Sequence, residues 1–109
     1  MASDRAKREL AAYKRQGRTE AVVYRPAGGT ARTIDALVRR GRREQAVNAT
    51  KAGIEIAVLN DATLGIAPAS MNKGSDQVDV AERFGGSPQS RRFTEIVEQD
   101  ADWATLEVL

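Results

Sequence analysis

After Gly17 the chain is cut into short β-type segments by turn residues, and this limits its possible folds more than any other feature. Gly53 to Leu59, GIEIAVL, is the clearest segment: Ile54, Ile56 and Val58 alternate with Glu55 and Ala57. Successive side chains of a strand point to opposite faces, so this pattern buries one face and wets the other. Glu20 to Arg25, EAVVYR, is short and β-rich, and Pro26-Ala27-Gly28-Gly29 breaks it. Gln77 to Glu82, QVDVAE, alternates again with Val78 and Val80 inward; Gly85-Gly86-Ser87-Pro88 follows as a turn cluster. Arg91 to Gln99 reads as a strand, Asp100-Ala101-Asp102 as a short connection and Trp103 to Leu109 as the last strand.

Two stretches are less decided. Thr30 to Arg40, TARTIDALVRR, groups Ile34, Ala36 and Val38 as a strand, or Ile34, Leu37 and Val38 as a helix stopped by Gly41. Its β neighbours favour the strand. Ala62 to Asp76 holds Gly65, Pro68 and Gly74 and reads as a long loop, in which Leu64 and Ile66 form at most a brief edge segment.

The N-terminal stretch obeys a different period. Ser3 to Gln16 places Ala6, Leu10 and Tyr13 on one helical face, with Ser3 as N-cap, Asp4 in the first turn, Lys14 and Arg15 in the last, and Gly17 as the stop. The apolar stripe is thin, so the helix is expected to dock on another element rather than to form the core. The sequence thus predicts a mainly β protein, a small β-barrel or sandwich of about six short strands with an N-terminal α-helix. Residues 1–17 form the helix and 18–109 the β domain. The inward positions are Val22, Ile34, Val38, Ile56, Val58, Val78, Val80, Ile96 and Leu106. Closure into a barrel would leave few strand edges unpaired.

Composition narrows the chemistry. The 109 residues suit one modest core, and 41% hydrophobic with 29% charged residues is an ordinary globular balance. Cysteine is absent, which removes disulfides and thiolate metal sites. Histidine is absent too, which removes Ser-His-Asp and Cys-His catalysis and the commonest metal ligand. A carboxylate or Lys/Tyr pair would still permit chemistry, but no such pair stands out, and neither enzyme activity nor a cofactor is expected. No apolar run nears the length of a membrane span, and MASDRAKREL lacks the apolar region of a secretory signal, so no membrane association is expected.

The formal charge of +2 is unevenly spread: residues 1–45 carry twelve Lys/Arg against five Asp/Glu, and residues 46–109 five against ten. If the fold keeps the halves apart, one region is basic and another acidic; if the halves interleave, the charges mix.

Several motifs have bland readings. Gly28-Gly29-Thr30 lacks the spacing of a phosphate loop and reads as a turn, and Asn48-Ala49-Thr50 reads as a chance sequon. Asp76, Asp79 and Glu82 read as a solvated strand face, and Trp103 as a core or barrel-closing residue. The basic run VRRGRREQ places Arg39, Arg40, Arg42 and Arg43 around Gly41 as candidate partner- or DNA-facing residues. The run lacks the interleaved aromatics of single-strand binding surfaces, although phosphate contact needs only Arg or Lys.

Four stretches, taken in order, carry a resemblance: RTIDALVRR, GIEIAVLNDATLGI, KGSDQVDVAERFGG and RRFTEIVEQDADWATLEV. Over roughly residues 20–109 the chain resembles the head–tail connector family of tailed bacteriophages, specifically its small β-barrel head-completion, or stopper, proteins. The likeness lies in the order of strands and turns, and the N-terminal helix is outside it. It implies a structural virion protein of the neck, made in the host cytoplasm. Such a protein forms a homo-oligomeric ring below the portal or its adaptor, retains packaged DNA and offers a platform to the tail or tail-terminator protein. Non-specific contact with packaged DNA is part of that expectation. The long stretches Arg40 to Ala52 and Asn60 to Asp76 would then supply contacts between subunits and rings. A tail terminator, a small nucleic-acid-binding barrel similar in outline to an OB-fold, and a carboxylate- or lysine-based enzyme are the alternatives.

Overall fold

A computed structural model of the chain describes residues 2–40, 54–61 and 71–109. One helix, α1 (Asp4–Arg15), precedes six strands: β1 (Glu20–Arg25), β2 (Arg32–Arg40), β3 (Ile54–Leu59), β4 (Gln77–Ala81), β5 (Pro88–Gln99) and β6 (Trp103–Val108). The strands form a closed antiparallel barrel in the order β1-β2-β3-β6-β5-β4, with β4 pairing back onto β1. The choice between barrel and sandwich is thereby made. Thr30 to Arg40 is a strand, and the turn before it uses Gly28 at φ +76° with the Gly29 N–H donating to the Pro26 carbonyl at 3.1 Å. Positive φ at the third turn position favours glycine there.

The core lies inside the barrel. Val22, Ile34, Ile56, Val58, Val78, Val80 and Leu106 are buried as expected, while Val38 and Ile96 are half-buried against them. Tyr24, Ala36, Ile54, Phe93, Ala104 and Val108 complete the core. Phe93 and Ile96 lie three residues apart, so strict alternation cannot turn both inward. Two register irregularities between β5 and β6 resolve this: Phe93 faces Val108, Glu95 faces Glu107, Ile96 faces Leu106 and Glu98 faces Thr105. Thr94 and Val97 are the extra residues, as in β-bulges. β5 also starts at Pro88, earlier than the expected Arg91, because Pro88 to Arg92 pair with β4. Proline is tolerated as the first residue of a strand.

The helix docks on the outer wall of the barrel, where β3 ends and β6 begins. Ala2, Ala6 and Leu10 pack on Leu59 at the end of β3, with Trp103 at the start of β6 half-buried beside them. Trp103 has the outward phase of Thr105 and Glu107, so it packs beneath the helix rather than inside the barrel core, which corrects its reading as a core or barrel-closing residue. Ser3 caps the helix by accepting from the Ala6 N–H at 3.2 Å, and its own N–H donates to Asp102 Oδ1 at 2.8 Å. The helix ends in a Schellman motif: the Arg18 N–H donates to the Tyr13 carbonyl at 2.9 Å and the Gly17 N–H to Lys14 at 3.0 Å. Tyr13 does not enter the apolar cluster; it is half-buried, with the Arg18 guanidinium 4.8 Å from its ring centre.

Charge is mixed by this topology. Lys7 lies 3.1 Å from Asp61 as an ion pair rather than an aligned hydrogen bond, Arg25 lies 2.7 Å from Asp79, and Arg39 lies 3.8 Å from Glu55. Each joins a basic residue of the first half to an acid of the second, so at these points the halves interleave. The reading of Asp76 as part of a solvated strand face is corrected: its side chain is fully buried, while Asp79 is half-buried and Glu82 exposed. Asp76 shares the inward phase of Val78 and Val80, and its carboxylate is satisfied there by three donors. The Tyr24 O–H and the Asn72 N–H, the latter at 2.8 Å, donate to Oδ2, and the Ala27 N–H donates to Oδ1 at 2.8 Å.

Candidate functional site

The arginine run is divided by the strand that carries it. Arg40 has the inward phase of Ile34, Ala36 and Val38 and reaches across the barrel end. Its Nη1 and Nη2 each donate to a Glu20 oxygen at 2.6 Å, and Nε donates to the Ala81 carbonyl at 3.0 Å. The bond to Glu20 holds the guanidinium pKa above its ordinary value, outweighing the burial that would lower it. Arg40 thus ties β2 to β1 and β4. Arg39 points outward and is 84% exposed, so the strand leaves it available to a partner. Arg42 and Arg43 lie outside the described residues, as do most of the two long stretches read as contact loops and the whole Asn48-Ala49-Thr50 sequon.

The Arg40 contacts carry a prediction. Arg40→Ala should cost about 1–3 kcal/mol, since a half-buried bidentate pair and a carbonyl bond are lost together and Glu20 keeps an uncompensated carboxylate. Arg40→Lys should recover only part, because an ammonium cannot repeat the fork. Urea unfolding of the two variants against the parent measures both effects.

Outside the barrel, β2, β3, β6 and β5 present two parallel rows of side chains. Leu37 faces Ala57, Ala57 faces Thr105 and Thr105 faces Glu98. The neighbouring row runs Arg39, Glu55, Glu107, Glu95, each directly opposite the next. Like charges placed opposite one another in a sheet are destabilising, and within this row Thr94 Oγ1 donates to Glu107 Oε1 at 3.2 Å. The first row lines a shallow depression of about 220 Å³ that Arg39, Glu55 and Glu98 border.

A second exposed feature is the β4–β5 hairpin. Phe84 at its tip is 66% exposed, against 37% for Val97 and Leu109, the other exposed large hydrophobics among the described residues. The tip is shaped by Gly85 at φ +79° and by the Gly86 N–H donating to the Arg83 carbonyl at 2.9 Å. By its sequence this stretch is a turn, and the apolar residue before Gly85-Gly86 is the signal of its exposed tip.

The most perturbed ionisable pair is structural in placement. Burial pushes the Tyr24 phenol up, and the bond to Asp76 and its negative charge push it further. Burial would raise the Asp76 carboxyl as well, but the bonds from Tyr24, Ala27 and Asn72 outweigh it and hold it below the usual carboxylate range. Both groups lie inside the barrel, joining β1, the β1–β2 turn and the segment before β4. Among the described residues no group of three or more Asp and Glu is placed to hold a metal ion, and no helix is long and apolar enough to cross a membrane.

Fold and surface together define a small closed antiparallel β-barrel, flanked by a helix, with a two-row outer face and an exposed aromatic hairpin. Comparison of the chain with protein-family models, with curated proteins and with solved structures finds no match.

Proposed function

We propose that the protein is a structural component of the tailed-phage neck, a head-completion or stopper protein that forms a ring between portal or adaptor and tail. The observation that carries this reading is the placement of the four resembling stretches: they supply β2, β3, β4, and β5 with β6, five of the six barrel strands. A barrel with a helix on its outer wall and a patterned outer face suits a ring subunit, which presents different surfaces to its neighbours. The nucleic-acid alternative draws less support: Tyr24 and Phe93 are buried, Trp103 is half-buried, and Arg40 is spent on Glu20. Base stacking needs several exposed rings.

The test is particle assembly. Phage lacking this protein should accumulate DNA-filled heads and separate tails that join when the purified protein is added. Normal joined particles in its absence would refute the reading. Adding back an Arg39→Ala, Arg42→Ala, Arg43→Ala variant, with Arg40 kept for the barrel, should join poorly. Any DNA affinity of the parent should be indifferent to sequence and fall steeply with salt.

A further inference from the structure

We propose that the β4–β5 hairpin of one copy docks on the two-row outer face of a second copy. Phe84 seats on the Leu37–Ala57–Thr105 row, and Arg83 meets the adjacent glutamates. This names the subunit contact of the proposed ring and in that respect rests on the neck reading.

Three observations point to a second copy as the occupant. The first is fit: a cavity of about 150 Å³ accommodates a benzene ring, and the depression of about 220 Å³ offers room for the phenyl group of Phe84. Burying that ring removes the largest exposed apolar side chain among the described residues from water. The second is charge. The row beside the depression ends in Glu95, and Glu98 stands at the depression's own end. The hairpin brings Arg83, which makes no ion pair among the described residues, next to Phe84. Its guanidinium can pair with Glu95 or Glu98, and Glu82 can face Arg39.

The third observation is direction. The hairpin tip precedes the start of β5 at Pro88, whereas the depression reaches β5 at Glu98, near its other end. Ten residues of extended strand, roughly 33 Å, separate the two along β5, so they cannot meet within a chain. Joined between copies they make a heterologous contact, which propagates head to tail and closes into a ring when the rotation permits. One aromatic anchor on a shallow site is a small contact, so the isolated protein should associate weakly.

The experiment places the photoreactive p-benzoylphenylalanine at position 84 and irradiates the full chain at millimolar concentration. Cross-linked dimers are digested and sequenced by mass spectrometry. Cross-links to peptides containing Leu37, Ala57 or Thr105 of the other copy are expected; cross-links elsewhere, or none, overturn the proposal. In sedimentation, Arg83→Glu and Phe84→Ala should each weaken self-association by about tenfold or more, as loss of a central anchor does. Their melting curves should be unchanged, since both side chains are exposed. Arg83→Glu combined with Glu98→Arg should restore association, whereas a merely structural role predicts no restoration. If Phe84→Ala associates like the parent, this contact is wrong even where heads and tails still join. If heads and tails join without the protein but the cross-links fall on the depression, the neck reading fails and the contact stands.

Discussion

Ile56→Asp is expected to destabilise the barrel by about 4 kcal/mol or more, the largest effect of any single change considered for this chain. Ile56 has no exposed surface; it lies on the inner face of β3 between Val38 of β2 and Leu106 of β6. An aspartate there loses the apolar contacts of the isoleucine and brings a carboxylate with no partner into the core. Such a group either stays charged at high cost or binds a proton, which also costs free energy at neutral pH. Small domains are stable by only about 5–15 kcal/mol, so the variant should melt some 20 °C lower or fail to fold. Val97→Asp, on an exposed bulge residue of β5, is the control and should change the melt little. An Ile56→Asp protein that melts with the parent would remove β3 from the core.

Asp76→Ala is expected to cost about 3–5 kcal/mol and to blunt the response to acid. One carboxylate accepts from Tyr24, Ala27 and Asn72, so its removal leaves a buried hydroxyl and two backbone N–H groups without their acceptor. The sign of the pH effect follows from the direction of the shift. The folded carboxyl is held below its usual range, so near pH 4 and below the unfolded chain binds a proton that the folded chain does not. The stability it supplies is complete above the unfolded value of about 3.9 and is lost as pH falls through the folded value. Asp100, lowered by N–H bonds from Trp103 and Asp102, acts in the same direction. Urea midpoints at pH 7 and pH 3 should therefore converge in Asp76→Ala relative to the parent, with the Asp100 share remaining. Tyr24→Phe should cost less, because the carboxylate keeps its two backbone donors. Equal acid sensitivity in parent and Asp76→Ala would show that this carboxylate is not the one protonated on unfolding.

By itself the sequence determined the element order, and the reasons are local. Ser3 and Gly17 bound the helix because a hydroxyl can take an orphan N–H and glycine accepts positive φ. The alternation of Ile54, Ile56 and Val58, and of Val78 and Val80, marks β3 and β4 because a strand has a side-chain period of two. Non-local contacts decided the rest. Closure of β4 onto β1 separated barrel from sandwich, and no local pattern encodes which edges meet. The bulges that turn both Phe93 and Ile96 inward depend on pairing with β6. Asp76 carries a charge that reads as surface, and only the convergence of Tyr24, Ala27 and Asn72 makes its burial affordable. Arg40 and Arg39 are indistinguishable in VRRGRREQ, yet strand phase sends one across the barrel end to Glu20 and the other into solvent. The two rows of the outer face likewise exist only through register, because residues 37, 57, 105 and 98 become neighbours only when four strands are aligned.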